Sequence, residues 1–324
     1  MKSKRPIYVS SLYRSGSTLL TLIIDQSPQI KMSYDTIHYM RFSYNRYQPI
    51  NENYKKLLSD TNKRLRKRWG KSINVTEISS NISNYKRITE AVVYDEIMKS
   101  HLNIKNNERW GDKTNVNWEG SIDFLDMYPN GKVLHIYRDP RAVLSSYKKF
   151  TFHKGLEYLD SIFSSLAMFN FIKSIPNSYK DNIFFLKYED LVQNSTKTIS
   201  LICNFLDIEF SLSMLNPSSF IDNSGNLFDS NSSFFKNRVS IDSQSLNMWK
   251  CYLEEYEIYL VELITKNILL EFGYELTNVK LSKTDTDKVN EILDDKYIKP
   301  RFEYWKKFNN GVQAYPDSNT AYLT

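Results

Sequence analysis

The apolar positions of this chain fall into short runs separated by polar turns. Ile7 to Val9 is a β-branched and aromatic run that predicts a buried strand. A polar stretch, Arg14-Ser15-Gly16-Ser17-Thr18, follows it. Leu19, Leu20, Leu22, Ile23 and Ile24 then predict a buried helix, ended by Pro28. Ile30 to Ser33, Val133 to Tyr137 and Ile183 to Lys187 predict further strands. Helical patterns lie over Glu52 to Lys71, Glu90 to His101, Trp118 to Tyr128, Leu156 to Lys173 and Tyr188 through Leu206, and one more runs from Ser245 to Glu271, closed by Gly273. Strands that alternate with helices predict an α/β domain. Residues 40–108 predict a helical insertion over the sheet, and the tail from 276 to 324 carries no motif.

Strand, small-residue loop and helix is the arrangement of a phosphate-binding loop. Backbone N–H groups and the positive end of the helix dipole converge there on an anion. Gly16 lets the backbone close on the ligand, Ser15, Ser17 and Thr18 add hydroxyls, and Arg14 adds charge. Against a Walker loop, Gly16 and Thr18 fall in place, but Ser17 stands where the lysine belongs and Ser11 replaces the first glycine. Loss of that lysine argues against a kinase or an ATP-hydrolysing enzyme. A serine-capped buried helix is the plain structural alternative.

Asp35 lies at the end of the second strand, with His38 three residues on. Open α/β sheets bind ligands at strand ends, so Asp35 is read either as a chemical group or as the N-cap of a helix starting at Thr36. Lys113, in Arg109-Trp-Gly-Asp-Lys-Thr114, reads as a lysine facing the site or as a surface lysine. A second informative stretch runs from Lys132 to Tyr147. Asp139 and Pro140 predict a helix start. Arg138 at the strand end and Ser146 two turns into the helix can face one crevice, where a guanidinium and a hydroxyl suit a phosphate monoester. His135 reads as a satisfied core histidine.

Composition narrows the classes. The chain has 324 residues, 41% of them hydrophobic, enough for a sizeable core. A net charge of +6 suits anionic ligands but is far from a nucleic-acid tail. Eight Lys and Arg residues between 55 and 71 read as a solvated helix, with a basic rim for an acidic acceptor as the alternative. Cys203 and Cys251 lack metal-site spacing, which fits a reducing compartment. No apolar leader or membrane-spanning run is evident, so the expectation is a cytoplasmic protein.

Tyr13-Arg-Ser-Gly-Ser-Thr-Leu-Leu20 resembles the 5′-phosphosulfate loop of sulfotransferases that use 3′-phosphoadenosine 5′-phosphosulfate (PAPS). Val133 to Tyr147 is similar to their 3′-phosphate motif, in the same order and at the same separation. Arg109 to Thr114, Leu186 to Leu191, Asn231 to Phe234 and the Trp249 segment ending at Gly273-Tyr274 also resemble this family, in the branch of tyrosylprotein sulfotransferases and many bacterial enzymes. The resemblance spans about residues 5 to 275. It implies a P-loop NTPase-like three-layer α/β fold, with a central, mainly parallel sheet and helices on both faces. Residues 1–275 would form the sulfotransferase domain, with the 40–108 insertion inside it, and 276–324 a C-terminal extension.

Roles follow from the resemblance, residue by residue. Arg14, Ser15, Gly16, Ser17 and Thr18 hold the 5′-phosphosulfate, Arg138 and Ser146 the 3′-phosphate, and Tyr188 contacts adenine. Asp35 stands where the tyrosylprotein enzymes place a glutamate base, one methylene longer. Lys113 and Ser233 fall near positions that stabilise the transferring group. Met248 replaces a basic residue of those enzymes. The implied reaction moves a sulfuryl group from PAPS to an acceptor hydroxyl (sugar, lipid, peptide tyrosine or small molecule), with an anionic acceptor among the options and no metal required. Donors from Arg14, the loop and Lys113 offset charge on the leaving phosphate, and Asp35 takes the acceptor proton. A small-molecule kinase and a non-catalytic nucleotide-binding protein are the alternatives.

Overall fold

The computed structural model describes residues 5–105, 107–150, 155–222, 225–229, 241 and 243–313. Five strands form one sheet: β1 (Ile7–Ser11), β2 (Ile30–Tyr34), β3 (Arg109–Asn115), β4 (Lys132–Tyr137) and β5 (Ile183–Lys187). Their order is β2-β3-β1-β4-β5, and every pairing is parallel. All strands therefore end on one edge. β1 lies at the centre, with Val9 opposite Lys113 of β3 and Leu134 of β4.

Alternation along β1 sends side chains to two buried faces, as a parallel sheet requires. Ile7 and Val9 join Leu134, Ile136 and the apolar sides of the Ser17–Asp25 and Ser195–Leu206 helices. Tyr8 faces the other way, into a core with Tyr94, Trp110 and Phe124, and stacks on Phe124 at 5.2 Å. A third cluster joins Leu12 to the Pro140–Phe150, Asp160–Ser174 and Glu255–Glu271 helices. The result is an α/β fold with helices on both faces of the sheet.

The 40–108 segment holds the helices Tyr39–Phe42, Ile50–Trp69, Val75–Ser83 and Glu90–Leu102. The basic helix is not solvated all round: Tyr54, Leu57, Leu58, Thr61 and Leu65 form a buried stripe at helical spacing. No helix begins at Thr36, so Asp35 is not an N-cap; the next helix starts at Tyr39. Lys113 is fully buried rather than a surface lysine. His135 is a core residue, but neither ring nitrogen has a hydrogen-bond partner among the described residues.

Two long helical patterns are broken. The stretch after β5 divides into Tyr188–Gln193 and Ser195–Leu206. The Ser245 to Glu271 stretch divides into a 3₁₀ turn at Ser243–Ser245, a short helix Trp249–Tyr252 and the helix Glu255–Glu271, which a reciprocal box between Glu254 and Glu257 caps. Beyond residue 275 the chain forms the helices Lys283–Asp294 and Lys299–Phe308; Val289 and Ile292 of the first, and Ile298 just before the second, are buried in the third cluster. No helix among the described residues is long and apolar enough to cross a membrane.

Candidate active site

The loop after β1 is shaped by backbone geometry. Arg14 and Gly16 have φ of 62° and 91°, in the left-handed region. Gly16 caps the Ser17–Asp25 helix, and Leu20 N donates to its carbonyl at 3.1 Å. Two constraints demand glycine there. The positive φ disfavours a side chain, and a Cβ would sit 2.2 Å from Cδ2 of Tyr188. The Tyr188 ring thus lies directly over the loop. Ser15 Oγ is buried with no partner among the described residues.

Arg14, Arg138, Ser146 and Tyr188 come together from four separate elements. Arg14 Nε donates to Ser146 Oγ at 2.9 Å. Arg138 Nη1 donates to the Arg14 carbonyl, and Nη2 to the Ser245 carbonyl, both at 3.2 Å. The Arg138 guanidinium sits 4.3 Å above the Tyr188 ring, and Tyr188 OH pairs with Ser245 Oγ at 3.0 Å. Burial and the nearby Arg138 push the Arg14 guanidinium down to about 10. The two positive charges repel, which a bound anion would relieve. Arg138 Nε is buried without a partner among the described residues. Ser245 was not singled out from the sequence, where it reads as the start of a helix.

A second group lies on the β2 and β3 side of the loop. Lys113 Nζ donates to both Asp35 carboxylate oxygens, at 2.8 and 2.9 Å, and to Thr18 Oγ1 at 3.2 Å. Lys113 is fully buried, whereas the Asp35 side chain keeps 30% of its surface accessible. Burial alone would raise the Asp35 carboxyl; the Lys113 ammonium outweighs it and holds the group below its ordinary value. His38 Nε2 lies 3.7 Å from Asp35 Oδ1. Burial pushes His38 down to about 3 against the pull of Asp35, so the ring is neutral near pH 7. The arrangement holds one partly exposed carboxylate beside the loop after β1.

Two residues later, Asn115 Oδ1 accepts from Ser11 Oγ and Ser17 Oγ, each at 2.9 Å. Asn115 ties the end of β1 to the start of the Ser17–Asp25 helix, and the Ser17 hydroxyl is committed to it. This role has no spacing signal in the sequence. Ser233, in Asn231 to Phe234, lies outside the described residues.

A profile of the sulfotransferase family matches residues 6–211, well over half of the chain. The chain belongs to the sulfotransferase family and is a transferase by that membership. It is similar to two nematode proteins, each described as a "putative protein-tyrosine sulfotransferase". The one from Caenorhabditis elegans is 29% identical over 134 residues, 40% of this chain and 52% of that protein. The one from Caenorhabditis briggsae is 24% identical over 254 residues, 77% of this chain and 82% of that protein. The chain thus spans about half the length of the first and most of the second. Among solved structures it is similar to the sulfotransferase domain of the Synechococcus PCC 7002 olefin synthase, with a TM-score of 0.53 and 22% identity over 85% of this chain and 98% of that one. The sulfotransferase domain from the curacin biosynthetic pathway gives 0.54 and 18%, over 85% and 100%. At these identities the likeness is one of fold.

Proposed function

We propose that this protein moves a sulfuryl group from PAPS to the hydroxyl of an acceptor, with Asp35 as base. The observation that carries the reading is the Lys113 ammonium held between Asp35 and Thr18 at the mouth of the phosphate loop. The donor side fits PAPS on three counts: a glycine cradle beneath Tyr188, a buried Ser15 hydroxyl with no partner among the described residues, and a buried Arg138 guanidinium whose Nε has no partner among them. Bound there, PAPS supplies the sulfuryl group. Arg14 and residues 15–18 hold its 5′ end, Arg138 and Ser146 its 3′-phosphate, and Tyr188 its base. Ser17 acts through its backbone N–H, since its hydroxyl serves Asn115.

In the transfer a bond forms from the acceptor oxygen to sulfur, and the bond from sulfur to the 5′-phosphate oxygen breaks. Asp35 takes the acceptor proton, while Lys113 and Arg14 offset charge on the departing phosphate. Arg68 and Arg41 are among the charges felt at Asp35 and His38. They favour an acceptor that carries negative charge. The names of the nematode relatives suggest a protein tyrosine, whose own hydroxyl is neutral near pH 7, so the negative charge would come from acidic residues beside it. Two unpaired cysteines, one buried and one exposed, suit the reducing cytoplasm.

The test is incubation with sulfur-labelled PAPS and a panel of tyrosine peptides, phenols, sugars and lipids. Labelled product should form in step with adenosine 3′,5′-bisphosphate (PAP), and Asp35→Asn should lower kcat by roughly 10²–10⁴. Tight PAP binding with no turnover of any acceptor would instead favour a non-catalytic binder.

A further inference from the structure

Asp35 sits on an unusual turn. Asp35 and His38 both have positive φ, 58° and 48°, in the left-handed region. Each such residue costs on the order of 1–3 kcal/mol and persists only where its surroundings over-determine it. Five hydrogen bonds do so here. Ser33 Oγ and Thr36 Oγ1 pair at 2.6 Å, and Thr36 Oγ1 also pairs with His101 Nε2 at 3.0 Å. Arg64 Nη2 donates to the Ile37 carbonyl at 2.8 Å. Tyr39 N donates to Asp112 Oδ2 at 3.4 Å, and Asp112 Oδ2 also accepts from Tyr94 OH at 2.7 Å.

Three of these contacts draw on the segment between β2 and β3. Arg64 comes from the Ile50–Trp69 helix, and His101 and Tyr94 from Glu90–Leu102. Tyr39 stacks on Tyr94, rings parallel to within 9° at 4.1 Å. The Arg64 guanidinium also lies 4.6 Å over Phe42, whose ring meets His38 edge-on. Burial, reinforced by Lys71, pushes His101 down to about 4, so its link to Thr36 is a neutral one near pH 7. No residue of this set belongs to the loop after β1.

We propose that the helices inserted between β2 and β3 are a brace for the Asp35 turn, and that Thr36, Arg64 and His101 are positioning residues for Asp35. The inference rests on Asp35 as the base. An aspartate is a short side chain, so its reach is set by its backbone. A misplacement of about 1 Å can cost 10²-fold in rate. The brace holds the carboxylate where it meets Lys113 from β3 and still opens to the acceptor side. The charged and titratable groups around it are Lys113 and Asp112 from β3, Arg14 from the loop after β1, His38 on its own turn, Arg41 from the helix that follows, and Arg68 from the Ile50–Trp69 helix.

The test follows Asp35 directly in the full-length protein labelled with ¹³C at aspartate Cγ, with Asp35→Asn to assign the resonance. Thr36→Val cuts the Ser33 and His101 links with little change of shape. Arg64→Met keeps the stem on Phe42 and removes the donor. In both variants the Asp35 titration should move up by about one unit or more, as the Lys113 contact loosens. Arg64→Lys should restore most of the wild-type value, and PAP affinity should stay within about twofold. An unchanged Asp35 titration in both variants overturns the proposal. So does a shift accompanied by an equal loss of PAP binding, which would make the insertion a general support. Failure of the sulfotransferase reading would show instead as wild-type protein that neither binds PAP nor transfers label, with the titration result intact.

Discussion

The Lys113 ammonium sits 2.8 and 2.9 Å from the two carboxylate oxygens of Asp35, within a strand that buries the lysine completely. This pair links β3 to the end of β2 and meets the loop after β1 through Thr18. The two side chains are therefore coupled in stability as well as in chemistry.

Lys113→Met should expose that coupling. Breaking one side of a fully buried pair costs about 3–5 kcal/mol. Asp35 is 30% accessible, so the expected loss is about 1–3 kcal/mol by denaturant melts at pH 7. The folded Asp35 value lies below the unfolded one, so its contribution is present above about pH 4 and lost as pH falls through the folded value. The gap between wild type and variant should then shrink at pH 3. An equal gap at both pH values would show that the carboxylate charge does not matter.

Gly16→Ala should fail for two separable reasons. The left-handed φ adds a backbone cost of about 1 kcal/mol, and the new methyl meets the Tyr188 ring. PAP binding should fall at least tenfold and the melting temperature should drop. Gly16→Ala with Tyr188→Ala removes the clash but not the strain. That double variant should recover part of the stability but not PAP binding, because it lacks the ring. Full recovery of binding would mean that Tyr188 does not contact the nucleotide.

Much of this site is legible in the sequence because each part is local. Arg14 to Thr18, Arg138 with Ser146, and Asp35 at a strand end all follow from strand-then-loop patterns. A parallel sheet brings such ends to one edge whatever the connections between them. Asn115 and Ser245 are illegible for the opposite reason: their partners, Ser11 and Ser17 or Arg138 and Tyr188, are fixed only by tertiary packing. The buried stripe Tyr54, Leu57, Leu58, Thr61 and Leu65 has helical spacing but is hidden among lysines and arginines, whose long side chains mask the periodicity. The break before Glu255 is also hard to read, since its cap is a glutamate rather than Ser, Thr, Asp or Asn.

Buried histidines should set the acid limit of the fold. Burial lowers His38 and His135 to about 3 and His101 to about 4, each below the unfolded value of about 6.5. Between roughly pH 4 and 6 the unfolded chain binds more protons, so stability falls as pH drops through that window. His38 and His135 are almost wholly inaccessible, and two protons give a slope of about 2.7 kcal/mol per pH unit. His135→Leu should reduce that slope by about one proton and raise stability near pH 5, since neither nitrogen of His135 has a partner among the described residues. An unchanged slope in the variant would show that water or a neighbour already satisfies the ring.

Among the described residues, the chain beyond residue 275 reaches the end of β3 through Gln313. Val116 follows Asn115 at the end of β3 and holds a φ of 74°, a costly value for a β-branched residue. Its N–H donates to the Ser11 carbonyl at 2.9 Å, and its carbonyl accepts from the side-chain amide of Gln313. The strand of chain before Gln313 is closely seated. Asn170 Nδ2 donates to Asn310 Oδ1 at 2.8 Å, and a Cβ on Gly311 would lie 1.7 Å from the Phe163 carbonyl oxygen. Val116 thus keeps its strained backbone with support from both sides, and Asn115 beside it keeps Ser11 and Ser17 together. Gln313→Ala should release Val116 and loosen Asn115, with a loss of about 1 kcal/mol in stability. PAP affinity should fall about 3–10-fold, the same scale converted to binding. Gln313→Glu keeps the length and removes the N–H donor, and should behave alike. Calorimetric titration with PAP checks both. If both variants lower the melting temperature yet bind PAP as tightly as wild type, the extension supports the fold without reaching the phosphate loop.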